Sequence, residues 1–172
     1  MRGRCFPGRG LKLCSATDRV DTLTFECRHF SELSGAEVYA MLALRSRVFV
    51  VEQACVYLDP DGLDLDAYHL FGWGGGDARE LVCGVRILAP GVVYAEASIG
   101  RVVSSPEHRG GGVGRRLMER ALVECAALYP GVGIRIGAQA YLERFYAGLG
   151  FVAVSAPYLE DGIPHVTMLR GV

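Results

Sequence analysis

The seven residues Arg109-Gly110-Gly111-Gly112-Val113-Gly114-Arg115 hold four glycines and two arginines, and they stand where a strand-like run gives way to a helical pattern. Orphan backbone N–H groups and the positive end of a helix dipole hold anions at such a junction, and glycine lets the main chain come close to phosphate oxygens. Two familiar phosphate loops are excluded. No Gly-Lys-Ser/Thr follows, as a Walker loop requires, and the third glycine of a dinucleotide fingerprint would fall at Arg115. Another diphosphate remains, beside the plainer reading of a turn that joins strand to helix.

Other residues have chemistry to offer. Tyr146 shares a helical face with Leu142, and its phenol, with an ordinary pKa near 10, either packs or supplies a proton to a weakly acidic leaving group. Glu52 and Gln53 end the apolar run Val48–Val51; they are a polar lining for a channel, with Glu52 a candidate general base, or a solvated helix end. His69, between Tyr68 and Leu70, and His165, after Gly162-Ile163-Pro164, are substrate contacts or packing residues. The segment Asp59-Pro60-Asp61-Gly62-Leu63-Asp64-Leu65-Asp66 is expected to be an exposed acidic loop. It is no calcium loop, because glycine falls at its fourth position and no glutamate stands at the twelfth. Its four carboxylates are a candidate attractor for a cationic amine.

These candidates need a scaffold, and one domain is expected from 172 residues. Thr22–Arg28 alternates as a strand. Ser34 and Glu37 form a capping box for a helix over 35–48. Tyr68–Trp73, Glu80–Leu88 and Val92–Val103 read as an antiparallel meander, separated by Gly74-Gly75-Gly76-Asp77 and Pro90-Gly91. Leu117, Met118, Ala121, Leu122, Cys125 and Leu128 give a helix that stops at Pro130-Gly131. A strand over Ile134–Ala138, a helix over Gln139–Leu149, and a hairpin of Phe151–Ala156 with His165–Leu169 complete an α/β fold with a mixed sheet.

Composition narrows the function further. Lys plus Arg number 18 against 19 Asp plus Glu, a net charge of −1, so no unspecific grip on nucleic acid is expected. Charged residues, Gly or Pro interrupt every apolar run before membrane-spanning length. Six cysteines without a C-x-x-C pair argue against zinc and redox motifs, and Cys83 and Cys125 read as reduced core residues in a reducing, cytoplasmic compartment. Residues 1–21, basic and free of acids before Asp18, are expected to form a disordered extension or to mark a mis-called start, and resemble an acid-poor targeting peptide only weakly, ahead of a domain over 22–172.

Arg109, Gly112 and Gly114, as Arg-x-x-Gly-x-Gly after Ser98-Ile99-Gly100-Arg101-Val102-Val103-Ser104, resemble the coenzyme A pyrophosphate loop of the GNAT superfamily. Gln139 to Phe151 is similar to that family's Asn-(six residues)-Tyr-x-x-x-Gly-Phe segment, with Gln139 where Asn is usual. The resemblance spans roughly 22–170. Leu44-Arg45 through Glu52-Gln53, with Glu160-Asp161-Gly162-Ile163-Pro164-His165, looks like the ElaA-type branch. The resemblance implies a mixed central sheet, flanked by helices, whose two central strands splay to admit pantetheine. Val102, Val103 and Ser104 would then bond the pantetheine main chain to main chain. Arg109, Gly110, Gly111, Gly112, Val113, Gly114 and Arg115 would hold the pyrophosphate, with Gln139 a further coenzyme contact. It also implies acetyl-CoA as donor, a small-molecule or peptide amine as acceptor, no metal, and Tyr146 as the acid that protonates the departing thiolate, in a monomer or homodimer. A coenzyme-binding module without turnover is the competing expectation; a phosphate hydrolase would need the lysine and Ser/Thr that the loop lacks.

Overall fold

In a computed structural model, residues 23–75 and 79–172 are described. Cys5, Cys14, the whole expected N-terminal extension of residues 1–21, Thr22 of the first expected strand, and Gly76-Asp77 of the glycine-rich separator lie outside them. Eight strands of the described residues form one sheet: β1 (Thr24–His29), β2 (Tyr68–Gly74), β3 (Glu80–Leu88), β4 (Ala97–Ser104), β5 (Ile134–Gln139), β6 (Val152–Ala153), β7 (Tyr158–Glu160) and β8 (Ile163–Arg170). Their order is β1-β2-β3-β4-β5-β8-β6, with β7 also on β8. The pairings are antiparallel except between β4 and β5.

Two helices cover the faces. Helix α1 (Gly35–Arg45) starts at the capping box expected from sequence: Ser34 Oγ accepts from the Glu37 N–H, and the Glu37 carboxylate accepts from the Ser34 N–H. Its Met41 and Leu44, with Val48 just beyond, pack on Phe71, Trp73, Leu81 and Val103. Helix α2 (Val113–Leu128) lays Val113, Leu117, Met118, Ala121 and Cys125 on the opposite face, against residues such as Leu70, Val85 and Ile136. Burying apolar atoms at about 25 cal/mol per Å² is what holds both helices to the sheet. Cys83 and Cys125 are free and buried, as expected.

Several boundaries differ from the sequence expectation. The helix over 35–48 does not stop at 48: from Ser46 to Glu52 it widens into a π-helix, seen in the Gln53 N–H bonding to the Val48 carbonyl five residues back. Residues 92–96 are not strand. The turn at Gly91, with φ of 86°, bonds to the Tyr94 carbonyl, and Val92 and Val93 stand half exposed before the sheet begins again at Ala97. The helix expected over 139–149 is a 3-10 turn (Ala140–Leu142) and a short helix α3 (Glu143–Ala147). The closing hairpin keeps its β8 side, but its partner shrinks to Val152–Ala153 and β7 takes the rest of β8.

The acidic segment is the largest departure. Asp59 and Asp64 are buried, not exposed. The Arg45 Nε donates to Asp59 at 2.7 Å and its Nη1 to Asp64 at 2.8 Å. Arg86 forks onto Asp61 at 2.6 and 2.8 Å, and Arg101 bonds Asp59 at 2.9 Å and Asp61 at 3.1 Å. Three arginines from α1, β3 and β4 thereby neutralise three aspartates. Asp61 and Asp66 stay exposed, but Asp61 is held by Arg86 and Arg101, so the segment is no free anionic patch for a cationic amine. Every cation of the described residues' Lys/Arg set is arginine; the chain's one lysine is Lys12.

These pairs set a pH dependence. Burial alone would raise the Asp61 and Asp64 carboxyls, but the Arg86 and Arg45 guanidiniums bring both below the ordinary carboxylate range. Glu37, likewise opposed by burial, is lowered to about 2 by Arg28 and Ser34. Groups depressed in the folded state contribute stability that is full above their unfolded value, near 4, and is lost as pH falls through the folded value. The midpoint of chemical denaturation is therefore expected to fall gently from pH 7 to about 5, where the unfolded chain protonates His69 while burial opposes its protonation in the fold, and to fall steeply below about 4. A flat profile down to pH 2 would contradict the pairing.

Candidate functional site

Strands β4 and β5 pair only at Ala97–Ile134 and Ser98–Arg135, although β4 runs on to Ser104 and β5 to Gln139. Beyond that point the two strands separate. The separation leaves the β5-facing edge of β4 from Val102 to Ser104 without a strand partner, and buried main-chain groups require one. An extended ligand lying between the strands would supply it by adding a strand. A bulge sharpens the divergence: Arg86 pairs with Gly100 but Gly84 with Val103, and the extra residue Arg101 takes φ of 51°.

The opening is a cleft of about 730 Å³, within the range of small-molecule sites. Val102, Val103, Ser104, Arg109, Gly114, Gln139, Tyr146, Glu52, Gln53 and His165 all line it, so most of the sequence-derived candidates meet there. His69 does not. It is buried beneath the aspartate segment, its Nε2 3.2 Å from the Asp64 carbonyl and its ring against Phe30 and Phe71; burial pushes its pKa down, and it is a packing residue. His165 faces the cleft beside Tyr158, with Nδ1 2.9 Å from the Ile163 carbonyl.

The glycine loop leads into α2 with no side-chain cap. Gly112, the N-cap, has φ of 76° and Gly110 has φ of 85°; no atom lies within 4 Å of where a Cβ would stand on either. The first-turn amides of α2 are thus open to an anion. Arg109 hangs over the same end. Its guanidinium holds Glu52 at 2.5 and 3.0 Å and the Ser104 carbonyl at 3.3 Å. That contact keeps the Glu52 carboxyl below its ordinary value, which makes Glu52 a poor base in this state. The Arg115 side chain turns to Glu119 and to the Gly148 carbonyl, leaving only its amide for the loop. Val113 is a core residue whose amide alone is available.

Tyr146 stands on α3, 5% exposed, its ring edge-on to Phe145 and Phe151. Burial, with a smaller effect from Tyr141, pushes its hydroxyl up to about 12. Across the cleft the Gln139 Nε2 donates to the Gln53 Oε1 at 3.3 Å. Sequence reasoning missed Arg86, Arg101, Tyr57 and Tyr94 in this lining. The signal was present for the first two, as charged residues inside strands that otherwise read as buried.

No group of three or more His, Cys, Asp or Glu among the described residues is arranged to hold a metal ion. No described helix is long and apolar enough to cross a membrane.

A split parallel pair beside an uncapped, glycine-entered helix defines a class of acyltransferase, and the family comparison agrees: residues 83–170 match the acetyltransferase (GNAT) domain, and the chain belongs to this family. Its nearer kinship is with the ElaA-type branch. The chain is 46% identical over 146 residues to Protein ElaA of Escherichia coli K12, covering 84% of this chain and 94% of that one. It is 42% identical over 147 residues to a UPF0039 protein of Synechocystis, covering 86% and 94%. Among solved structures, an acyl-CoA N-acyltransferase from Pseudomonas aeruginosa aligns with a TM-score of 0.82 at 45% identity, over 87% of this chain and all of that one. Escherichia coli ElaA aligns with a TM-score of 0.80 at 44% identity, over 87% and 99%.

Proposed function

We propose that this protein transfers an acetyl group from acetyl-CoA to a primary amine, small molecule or peptide, by direct attack on the thioester. The observation that carries this reading is the unpaired inner edge of β4 opening into the same cleft as Tyr146. Pantetheine lying between β4 and β5 takes the main-chain groups of Val102, Val103 and Ser104. The pyrophosphate takes the amides from Gly110 to Arg115 together with Arg109, and Gln139 flanks the arm.

The amine nitrogen then attacks the carbonyl carbon and the C=O π pair moves onto oxygen. Collapse of that intermediate expels the thiolate, the Tyr146 hydroxyl protonates its sulfur, and the proton lost by the amine returns to the tyrosinate through solvent. A phenol near 12 suits this leaving group inside the protein. Desolvation beside the buried Tyr146 ring would make a coenzyme thiolate a stronger base than it is in water.

Binding gives the first test. Acetyl-CoA at a hundredfold excess over Kd is expected to add about 2.7 kcal/mol, a rise in Tm of roughly 5–11 °C for a chain of this size. Gly112→Val, which forces a β-branched residue to positive φ and puts bulk where phosphate must approach, should abolish that rise. A wild-type melting curve unmoved by millimolar acetyl-CoA would overturn the donor assignment. Consumption of acetyl-CoA across a panel of amines, amino acids, polyamines and peptides then identifies the acceptor.

A further inference from the structure

Two ion pairs join the π-helical end of α1 to the chain that enters the glycine loop. Arg47 pairs with Glu107, which also accepts from the Ser105 hydroxyl at 2.5 Å, and Glu52 pairs with Arg109. Arg47 and Glu52 are five residues apart. In an α-helix that spacing overshoots one 3.6-residue turn and points the two side chains apart, whereas i→i+5 winding brings them to one edge. The widened helix therefore faces Glu107 and Arg109 with the complementary order of charges.

Both present partners of Arg109, the Glu52 carboxylate and the Ser104 carbonyl, occupy the ground of the donor described above: one where an anion would sit, the other on the β4 edge. The Glu52–Arg109 pair is about two-fifths exposed on each side, and such pairs have little net worth. A diphosphate also held by loop amides and forked by the guanidinium is the stronger competitor. We propose that Glu52 is a donor-gated carboxylate: Arg109 masks it in the empty enzyme, the coenzyme's diphosphate takes Arg109 away, and the freed carboxylate then binds the ammonium form of the acceptor in the cleft.

This inference rests on the donor site proposed above. Besides Arg109, the charged groups that face Glu52 are Arg47 and Glu107, which already satisfy one another. Release thus leaves Glu52 an unpaired anion next to Gln53, whose side chain is fixed by Gln139. Glu52 positions the acceptor; it need not touch the reacting carbonyl.

The test uses carboxyl carbon NMR on glutamate-labelled protein, with the Glu52 resonance assigned from Glu52→Gln. Glu52 should titrate below the ordinary carboxylate range without ligand and move up into it when CoA saturates the protein. With CoA present, n-butylammonium should shift the same resonance, and without CoA it should not. Glu52→Gln should bind CoA about two- to fivefold more tightly, because a competitor for Arg109 is gone. Weaker CoA binding by Glu52→Gln would overturn the proposal, since Glu52 would then be holding Arg109 in place for the diphosphate. An unmoved Glu52 titration in a CoA-saturated sample, or no response to n-butylammonium there, overturns it as well. Failure of the wild type to bind CoA is a separate outcome, which removes the donor site and this inference together.

Discussion

Replacing Tyr146 with Phe is expected to lower turnover about 100-fold, the low end for a general acid, because a thiolate departs partly unaided. The substitution keeps the ring that packs edge-on against Phe145 and Phe151 and removes only the hydroxyl, so packing should survive. The loss should appear in kcat, with acetyl-CoA affinity nearly unchanged, since the hydrogen bond is used as negative charge develops on sulfur. The elevated pKa of about 12 adds a second expectation: the wild-type rate should show no alkaline loss from this group up to about pH 10. A Tyr146→Phe variant that matches the wild-type rate, under conditions where chemistry limits turnover, refutes the assignment.

The second large effect lies in the arginine–aspartate network. Arg45 is 2% exposed and holds two aspartates that are themselves nearly buried. Arg45→Met fills similar volume but strands part of the charge on Asp59 and Asp64. Breaking such a pair costs about 3–5 kcal/mol. Arg101 and Arg86 still face those carboxylates, so the low end is expected, about 3 kcal/mol. Calorimetry should record a Tm roughly 6–12 °C lower. Arg45→Lys should recover little, because an ammonium cannot reach both carboxylates with a planar fork. A Tm within about 2 °C of wild type for Arg45→Met would show that the network is not structural.

The parts of this molecule that a reader of sequence could locate are those where local pattern and tertiary role coincide. Strand β3 runs from Glu80 to Leu88 as expected, because a largely apolar run, broken inside only by Gly84 and Arg86, between glycines and a proline has few other ways to be buried. The capping box at Ser34 and Glu37 and the apolar stripe of α2 are equally local signals. The glycine loop and Tyr146 were legible for a related reason: both lie in short motifs whose spacing is set by a strand-to-helix junction and by one helical segment.

What was hidden depends on partners far apart in sequence. Four aspartates among Gly and Pro look solvated, and only the arrival of Arg45, Arg86 and Arg101 from three separate elements makes the burial of Asp59 and Asp64 affordable. The widening at Ser46–Glu52 was hidden for another reason. Apolar residues such as Val48 and Phe49 fit a 3.6-residue turn as readily as a wider one, so periodicity could not foretell that Arg47 and Glu52 share an edge. His69 stayed open between substrate contact and packing residue because alternation along β2 says which residues share a face but not which face is covered.

The exclusive use of arginine in the described residues has a consequence for an enzyme that works beside activated acyl groups. A thioester reacts slowly with any deprotonated lysine ε-amine it meets, erasing that charge, while a guanidinium stays protonated and inert at any working pH. Each ion pair on which this fold relies, from the buried Arg45 cluster to the Arg109–Glu52 clasp, is therefore built from a cation that the enzyme's own reagent cannot acylate. The scaffold is proof against slow chemical ageing by its substrate.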